Sequence, residues 1–267
     1  MNAVCIAALT ALVALATVSC SNDDDVLVTE IGVRPAGRPA ARPSQARDFY
    51  IQGQYKQIKG DSQGAIASYS RAINLNPNYG SAYNSRGLAR FDMGDQQGAI
   101  EDYNEALTIN SNDAQAYNNR GNARAARGDR NGAIEDYSQA IRLSPKYAEA
   151  YNNRGNALSA QGDRNGAIED YSQAIRLASN FAVAYNNRGN ARAAQGDREG
   201  AIADYNEAIR LAPNFAAAYN NRGNAYAALG DKQKATQDLQ RAAQIFEKQS
   251  NKQLYQQVMN NLQELGQ

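Results

Sequence analysis

Apolar and polar positions recur along most of the chain with a period of 34 residues. Each period holds two stretches with helical spacing of apolar residues, separated by a pair such as Gly128-Asp129. Because Gly commonly ends a helix and Asp commonly caps the next one, each period predicts two antiparallel helices. The pattern divides the chain into six units: 46–79, 80–113, 114–147, 148–181, 182–215 and 216–249.

Small and aromatic residues are predicted to pack between the two helices of a unit. In the third unit, Gly121 allows the helices to approach closely, and Ala133 and Ala140 supply small surfaces opposite. Tyr117 and Tyr137 fill the space around them. One hairpin cannot bury both of its apolar flanks alone, so the units are expected to stack on their nearest neighbours and to need terminal caps.

Residues 250–267 are predicted to form the C-terminal capping helix. Four apolar residues in this segment fall on one stripe of a helix, and Gln and Asn cover the rest. The stripe consists of Leu254, Val258, Leu262 and Leu265.

The repeat resembles the tetratricopeptide repeat in its length and in its signature residues. In the third unit these are Tyr117, Gly121, Ala133, Ala140 and Pro145. The resemblance implies an all-α fold, a right-handed superhelical solenoid of six 34-residue helix-turn-helix repeats with a C-terminal capping helix. It also implies that the first helix of each repeat lines a concave surface that binds other proteins.

Arg and Asp recur where the family pattern does not require them. Arg precedes the signature Gly in five repeats, at Arg86, Arg120, Arg154, Arg188 and Arg222. Asp recurs on the second helix at Asp102, Asp136, Asp170, Asp204 and Asp238. We expect these residues to pair within a hairpin or between neighbours, because a partly buried guanidinium needs a carboxylate. An active site needs unique residues, so these recurring pairs predict a structural role.

Asparagines follow the repeat on the first helix. One arc of about 120° on this helix is predicted to face away from the core and, by the resemblance, into the groove. In the third unit the arc holds Gln115, Asn118, Asn119, Asn122, Ala125 and Ala126. The first row contains Asn84, Asn118, Asn152, Asn186 and Asn220. The second row contains Asn119, Asn153, Asn187 and Asn221. The third row contains Asn122, Asn156, Asn190 and Asn224.

An Asn amide carries a donor and an acceptor, which suit the backbone of an extended peptide. The rows are similar to the asparagine ladder in the tetratricopeptide array of the O-linked N-acetylglucosamine transferases. The thirteen asparagines of the three rows are therefore the predicted peptide-binding residues. Two other interpretations stay open: the amides solvate an exposed helix face, or they bond across repeats. A carboxylate clamp is disfavoured, because the expected Lys and Arg places hold Asn, Ser, Glu and Ala.

Composition excludes several classes of function. The net charge is +1 and the chain contains no His and no Trp, so neither a nucleic-acid partner nor a His-based catalytic or metal site is expected. The two cysteines, Cys5 and Cys20, lie in the first twenty residues. The sequence predicts no enzymatic activity, no catalytic residue, no metal and no cofactor.

The N-terminal 20 residues resemble a bacterial export leader. An uncharged stretch from Ala3 to Ser19 has the size of a secretory h-region, and the sequence up to Cys20 resembles a lipobox. The resemblance implies lipid attachment at Cys20; simple cleavage, an uncleaved anchor and a mis-assigned start are the alternatives. Residues 21–45, with three Arg-Pro pairs, predict an extended, disordered linker.

Together these features predict a scaffold or adaptor exported to the bacterial cell envelope. Its partners are expected to be other proteins, bound through extended segments, and the membrane, through an N-terminal lipoprotein anchor that faces the periplasm or exterior. The alternative is an assembly protein that self-associates or joins a membrane complex through the ends of its solenoid.

Overall fold

The structure is a computed structural model that describes residues 46–266. This range forms thirteen α-helices and contains no strand. The helices are α1 (Ala46–Ile58), α2 (Ser62–Leu75), α3 (Gly80–Asp92), α4 (Gln96–Ile109), α5 (Ala114–Ala126), α6 (Arg130–Leu143), α7 (Ala148–Gln161), α8 (Arg164–Leu177), α9 (Ala182–Ala194), α10 (Arg198–Leu211), α11 (Ala216–Ala228), α12 (Lys232–Lys248) and α13 (Lys252–Leu265).

The predicted leader, the linker and Cys20 lie outside the range that the structure describes. Among the helices of residues 46–266, none combines the length and the apolar character that crossing a bilayer requires.

The Gly-Asp pair separates the two helices of each repeat as predicted. Gly128 has φ +86°, a left-handed conformation that Gly adopts without steric cost. Asp129 then caps α6, and its Oδ1 accepts a hydrogen bond of 2.9 Å from the backbone N–H of Gly132. The same turn recurs before every even-numbered helix up to α12, so the hairpins share one geometry.

Close approach of the two helices in a hairpin depends on a Gly that faces an aromatic ring. The atoms nearest to a Cβ built on Gly121 belong to the ring of Tyr137, rather than to the alanines that the sequence placed opposite. Ala133 instead packs with Ala157 of the following repeat. The ring therefore sets the spacing within the hairpin, and the alanines allow neighbouring hairpins to stack.

Successive hairpins stack unevenly on their two sides. Each odd-numbered helix from α1 to α9 contacts the next odd-numbered helix, whereas no comparable contact joins successive even-numbered helices. The side on which repeats lie closer is the inside of the curve. We therefore call the surface formed by the odd-numbered helices α1 to α11 the inner face.

Helix α13 covers the end of the sixth repeat. Val258 is buried, and the other leucines of the predicted stripe pack on the same cluster, which contains Leu239 and Phe246 of α12. The prediction of an all-α solenoid of helical hairpins with a C-terminal helix is confirmed.

Candidate functional site

The first row of asparagines is buried between successive repeats. Asn152 is 1% exposed, and the most exposed member of the row, Asn84, reaches only 9%. The prediction that the whole arc faces away from the core is therefore wrong for this row. The side chains lie where one odd-numbered helix packs against the next, and that contact covers them.

The second row connects each repeat to the preceding one. Asn153 donates one Nδ2 hydrogen to Asn118 Oδ1 at 3.1 Å and the other to Asn122 Oδ1 at 3.1 Å. Both donor hydrogens of Asn153 are used in this way. Asn187 and Asn221 repeat the arrangement one and two units later, at 2.9 to 3.1 Å. The second-row amides therefore bond across repeats, which is one of the two alternatives to peptide binding that the sequence left open.

At the N-terminal side, the second row makes one bond instead of two. Asn119 donates to Asn84 at 3.1 Å. The third-row place of the preceding repeat is occupied by Leu88, which offers no acceptor. The ladder of paired amides therefore begins at the third repeat.

The third row is oriented by buried tyrosine hydroxyls. Tyr137 donates its hydroxyl hydrogen to Asn122 Oδ1 at 2.8 Å, so this oxygen receives two hydrogen bonds, one from Tyr137 and one from Asn153. Tyr171 and Tyr205 hold Asn156 and Asn190 in the same way, at 2.8 and 2.9 Å. Burial raises the pKa of these tyrosines, so their hydroxyls keep the hydrogen that they donate.

Because both lone pairs of Asn122 Oδ1 are used, the amide has a fixed direction. Its oxygen points into the stack, and its Nδ2 has no hydrogen-bond partner within residues 46–266. Asn122 is half-buried, and its counterpart Asn156 is exposed. The inner face therefore carries one oriented, unused amide donor in each of the third, fourth and fifth repeats.

The network ends with an unpaired group. Asn220 is 6% exposed, and its Oδ1 is buried without a hydrogen-bond partner. In the earlier repeats this oxygen accepts from an Asn of the following repeat, but position 255 holds Tyr255. Asn224, the last member of the third row, receives a longer bond of 3.4 Å from Asn261 of α13.

The recurring Arg and Asp residues pair as the sequence predicted. Arg120 binds Asp136 of the same hairpin through two parallel bonds of 3.0 and 2.6 Å, and Arg124 reaches the same carboxylate at 2.9 Å. Arg120 also donates to Asn104 of the preceding repeat at 2.7 Å. The pair therefore holds a hairpin together and attaches it to its neighbour. Equivalent pairs occupy repeats two and four to six.

Sequence reasoning missed the tyrosines of the second helices as partners of the asparagines. The signal was present, because Asn and Tyr recur 15 residues apart in three successive repeats, at Asn122 and Tyr137 and their equivalents. Within residues 46–266, no group of three or more His, Cys, Asp or Glu side chains could hold a metal ion.

An all-α stack of helical hairpins with an amide-lined inner face defines a repeat scaffold. The family model described as TPR repeat matches residues 58–94, 87–128, 121–162, 155–196 and 189–230, and the model described as tetratricopeptide repeat matches 216–249. The chain therefore belongs to the tetratricopeptide repeat family. No curated protein matched the sequence.

Several solved structures share this fold. The crystal structure of MamA is 30% identical over 60% of this chain and 93% of that chain, with a TM-score of 0.55. The crystal structure of YrrB, described as a TPR protein with an unusual peptide-binding site, is 22% identical over 66% and 91%, with a TM-score of 0.54. The Cut9-Hcn1 heterotetramer of the APC/C gives a TM-score of 0.73 at 18% identity, over 83% of this chain and 43% of that chain.

Proposed function

We propose that this protein is a protein–protein interaction scaffold of the bacterial cell envelope that holds extended peptide segments on its inner face. The observation that carries the proposal is the row of oriented amides at Asn122, Asn156 and Asn190. Their oxygens are used inside the stack, and their Nδ2 hydrogens have no partner in residues 46–266.

The second row supplies the acceptors that a peptide backbone also needs. Asn153 Oδ1 receives only a long contact of 3.4 Å, from Asn152, so this oxygen retains capacity to accept a bond. Asn187 and Asn221 have the same geometry, at 3.5 and 3.4 Å. Donors in one row and acceptors in the next match the C=O and N–H groups of an extended chain.

Small side chains beside the amides permit close approach of a bound segment. Ala126 and its equivalents in later repeats are exposed and leave that part of the surface shallow. Each backbone hydrogen bond contributes only about 0.5–1.5 kcal/mol, so useful affinity requires contacts with several repeats. Along the ladder of amides, the inner face is therefore suited to a long extended segment and not to a single anchoring residue.

The direction of the third-row amides allows a test that leaves the stack intact. Asn-to-Asp changes keep the oxygen that accepts from Tyr and from the second row, but remove the outward N–H donors. A peptide selected by the full-length protein from a displayed library of random 12-residue peptides is the probe, and its affinity is measured by fluorescence anisotropy. The triple variant N122D/N156D/N190D is expected to lose at least about tenfold in affinity.

A charge-matched control separates the amides from the added charge. Asn74, Asn104 and Asn206 lie at exposed positions of the even-numbered helices α2, α4 and α10. The control N74D/N104D/N206D therefore adds the same charge on helices that do not form the inner face and should bind like the wild type. Equal affinity of both variants and the wild type would show that the amides do not bind peptide.

We further propose that the protein is exported and anchored to the membrane through a lipid on Cys20. The support comes from the sequence alone: the uncharged stretch from Ala3 to Ser19 and the lipobox-like residues before Cys20. Mass spectrometry of the native N-terminus should find a diacylated Cys20, and Cys20→Ser should move the protein from the membrane fraction to the soluble fraction. An unmodified Met1 in the native protein would contradict cleavage before Cys20 and lipid attachment there.

Self-association through the solenoid ends is the alternative function, and exposed apolar residues on α1 favour it. Ile51, Tyr55 and Ile58 are 38%, 52% and 83% exposed. Tyr55, however, stands at the place where later repeats bury a small Ala such as Ala89 against the preceding hairpin. Another hairpin cannot stack on α1 in that geometry. Sedimentation that stays monomeric as the concentration rises would exclude this alternative.

A further inference from the structure

The inner face has two chemically different parts. In repeat 3, the surface-lining places hold Asn122, Ala125 and Ala126. In repeat 2, the same places hold Leu88, Phe91 and Asp92. Repeat 1 likewise replaces polar or small residues of the ladder, with Ile51 at the second-row place and Ile58 at the place of Ala126. We call the surface formed by Ile51, Ile58, Leu88, Phe91 and Asp92 the α1–α3 patch.

The apolar side chains of the α1–α3 patch remain accessible. Ile51 and Ile58 are exposed, and Leu88 and Phe91 are half-buried. Phe91 rests on a buried cluster that includes Ala99 and Tyr103, so the ring has a fixed base. Accessible apolar residues grouped at one end of a binding surface mark a place where an apolar side chain of a partner can be buried.

A carboxylate borders these apolar residues. Asp92 is exposed and forms no ion pair within residues 46–266. Partial burial raises the pKa of Asp92, and a hydrogen bond from Gln57 of α1 opposes this shift. Two nearby cations are engaged elsewhere: Lys56 donates to Ser68 at 3.1 Å, and Arg90 donates to Asp102 at 2.9 Å. Asp92 therefore places a carboxylate without an ion-pair partner on a surface whose ladder portion is built from neutral amides.

The α1–α3 patch is continuous with the asparagine ladder. Asn119 of repeat 3 donates to Asn84 of repeat 2, and beyond that bond the third-row place is Leu88 instead of Asn. A segment that runs along the amides therefore passes directly onto apolar side chains and a carboxylate. The ladder can hold a backbone of any sequence, whereas the α1–α3 patch can distinguish side chains.

We propose that the α1–α3 patch gives the groove its sequence specificity by binding an apolar side chain and an adjacent Lys or Arg of the bound segment. The proposal rests on the peptide-binding function proposed above. The apolar side chain lies on Leu88 and Phe91, and the basic side chain pairs with the Asp92 carboxylate. The occupant is an extended segment of another protein in which an apolar–basic pair stands at one end.

The repeats supply a matched variant for the test. L88N/F91A/D92A gives repeat 2 the residues that repeat 3 carries at the same places, so the hairpin should fold. Random 12-residue peptides selected on the full-length wild-type protein are expected to share an apolar residue next to Lys or Arg. Their affinity for the triple variant should fall at least about tenfold, because an apolar side chain and an ion pair lose their contacts.

A charge exchange tests the basic position by itself. Asp92→Lys should weaken binding of the selected peptide, and a peptide in which Glu replaces its basic residue should recover affinity for this variant. The same peptides are measured on N122D/N156D/N190D. Loss of binding on that variant together with full binding on L88N/F91A/D92A and Asp92→Lys would overturn the specificity proposal and leave the peptide-binding function standing.

The opposite result also has a distinct meaning. Full binding on N122D/N156D/N190D with loss on L88N/F91A/D92A would overturn the ladder as a binding site, and with it the premise of a segment that continues from the α1–α3 patch. Selected peptides with no shared apolar or basic residue would contradict the proposal directly.

Discussion

The ring of Tyr137 lies against Gly121 so closely that a Cβ on Gly121 would stand 2.6 Å from Tyr137 Cε1. No real side chain tolerates this distance without movement of the ring or the helix. The Tyr137 hydroxyl also orients Asn122 at 2.8 Å, so the spacing of the two helices and the direction of the inner-face amide depend on the same residue.

Gly121→Ala is therefore expected to destabilise the protein by about 1–3 kcal/mol, because the added methyl overpacks the hairpin. The measurement is the free energy of unfolding by urea denaturation. Tyr137→Leu is the companion change, since the sixth repeat has Leu239 opposite Gly223, where a Cβ on Gly223 would stand 3.0 Å from Leu239 Cγ. The double variant should lose less stability than the sum of the two single losses; strict additivity would show that the ring and the Gly do not constrain each other.

Asn152 and Asn220 occupy equivalent places but should respond differently to substitution by Leu. The Oδ1 of Asn152 accepts from Asn187 at 3.1 Å, whereas the Oδ1 of Asn220 is buried and unpaired. Asn152→Leu should cost about 1–3 kcal/mol, because it leaves a donor of Asn187 unsatisfied. Asn220→Leu should cost less or stabilise, since it removes an unpaired oxygen. Equal losses in urea denaturation would mean that the inter-repeat bond contributes nothing.

Asp136 is the most sensitive member of its ion-pair cluster. Its side chain is 3% exposed and accepts from Arg120 and Arg124. Asp136→Ala should cost about 3–5 kcal/mol, because two partly buried guanidinium groups lose their carboxylate. Arg124→Leu is the matched control: repeat 4 already has Leu158 at this place, so the expected loss is below about 1 kcal/mol. Urea denaturation of both variants measures the two losses in the free energy of unfolding. A larger loss for Arg124→Leu than for Asp136→Ala would contradict the prediction.

Alkaline pH should unfold the protein through its buried tyrosines. Burial raises the pKa of five second-helix tyrosines above the ordinary value of 10.0: Tyr69, Tyr103, Tyr137, Tyr171 and Tyr205. The unfolded chain therefore loses these protons first. The contribution of these tyrosines to the free energy of unfolding is fully present below about pH 10, and it falls as the pH rises further.

A titration followed by phenolate absorbance and far-ultraviolet circular dichroism checks this expectation. The phenolate signal of the buried tyrosines should appear only together with loss of helix, whereas in urea all 16 tyrosines should titrate together near pH 10. Complete phenolate formation in a fully helical protein would contradict it.

The architecture of this protein follows from the spacing of residues along its chain. A strict period of 34 residues, with Gly121 and its equivalents in phase and a Gly-Asp break in each unit, allows one arrangement of paired helices. The Arg120–Asp136 pairing also followed from the sequence, because a recurring, partly buried cation needs a recurring carboxylate. These features depend on spacing along the chain, which the sequence displays directly.

The burial of the asparagines and the direction of their amides depend on contacts between helices and between repeats. Helical periodicity placed Asn118, Asn119 and Asn122 on one arc, but the contact between successive odd-numbered helices buries Asn118 and leaves Asn122 partly open. The direction of the Asn122 amide then depends on Tyr137 from the second helix and on Asn153 from the next repeat. Burial and amide direction are set by neighbours that lie 15 to 31 residues away along the chain, and the period of a single helix carries no information about them.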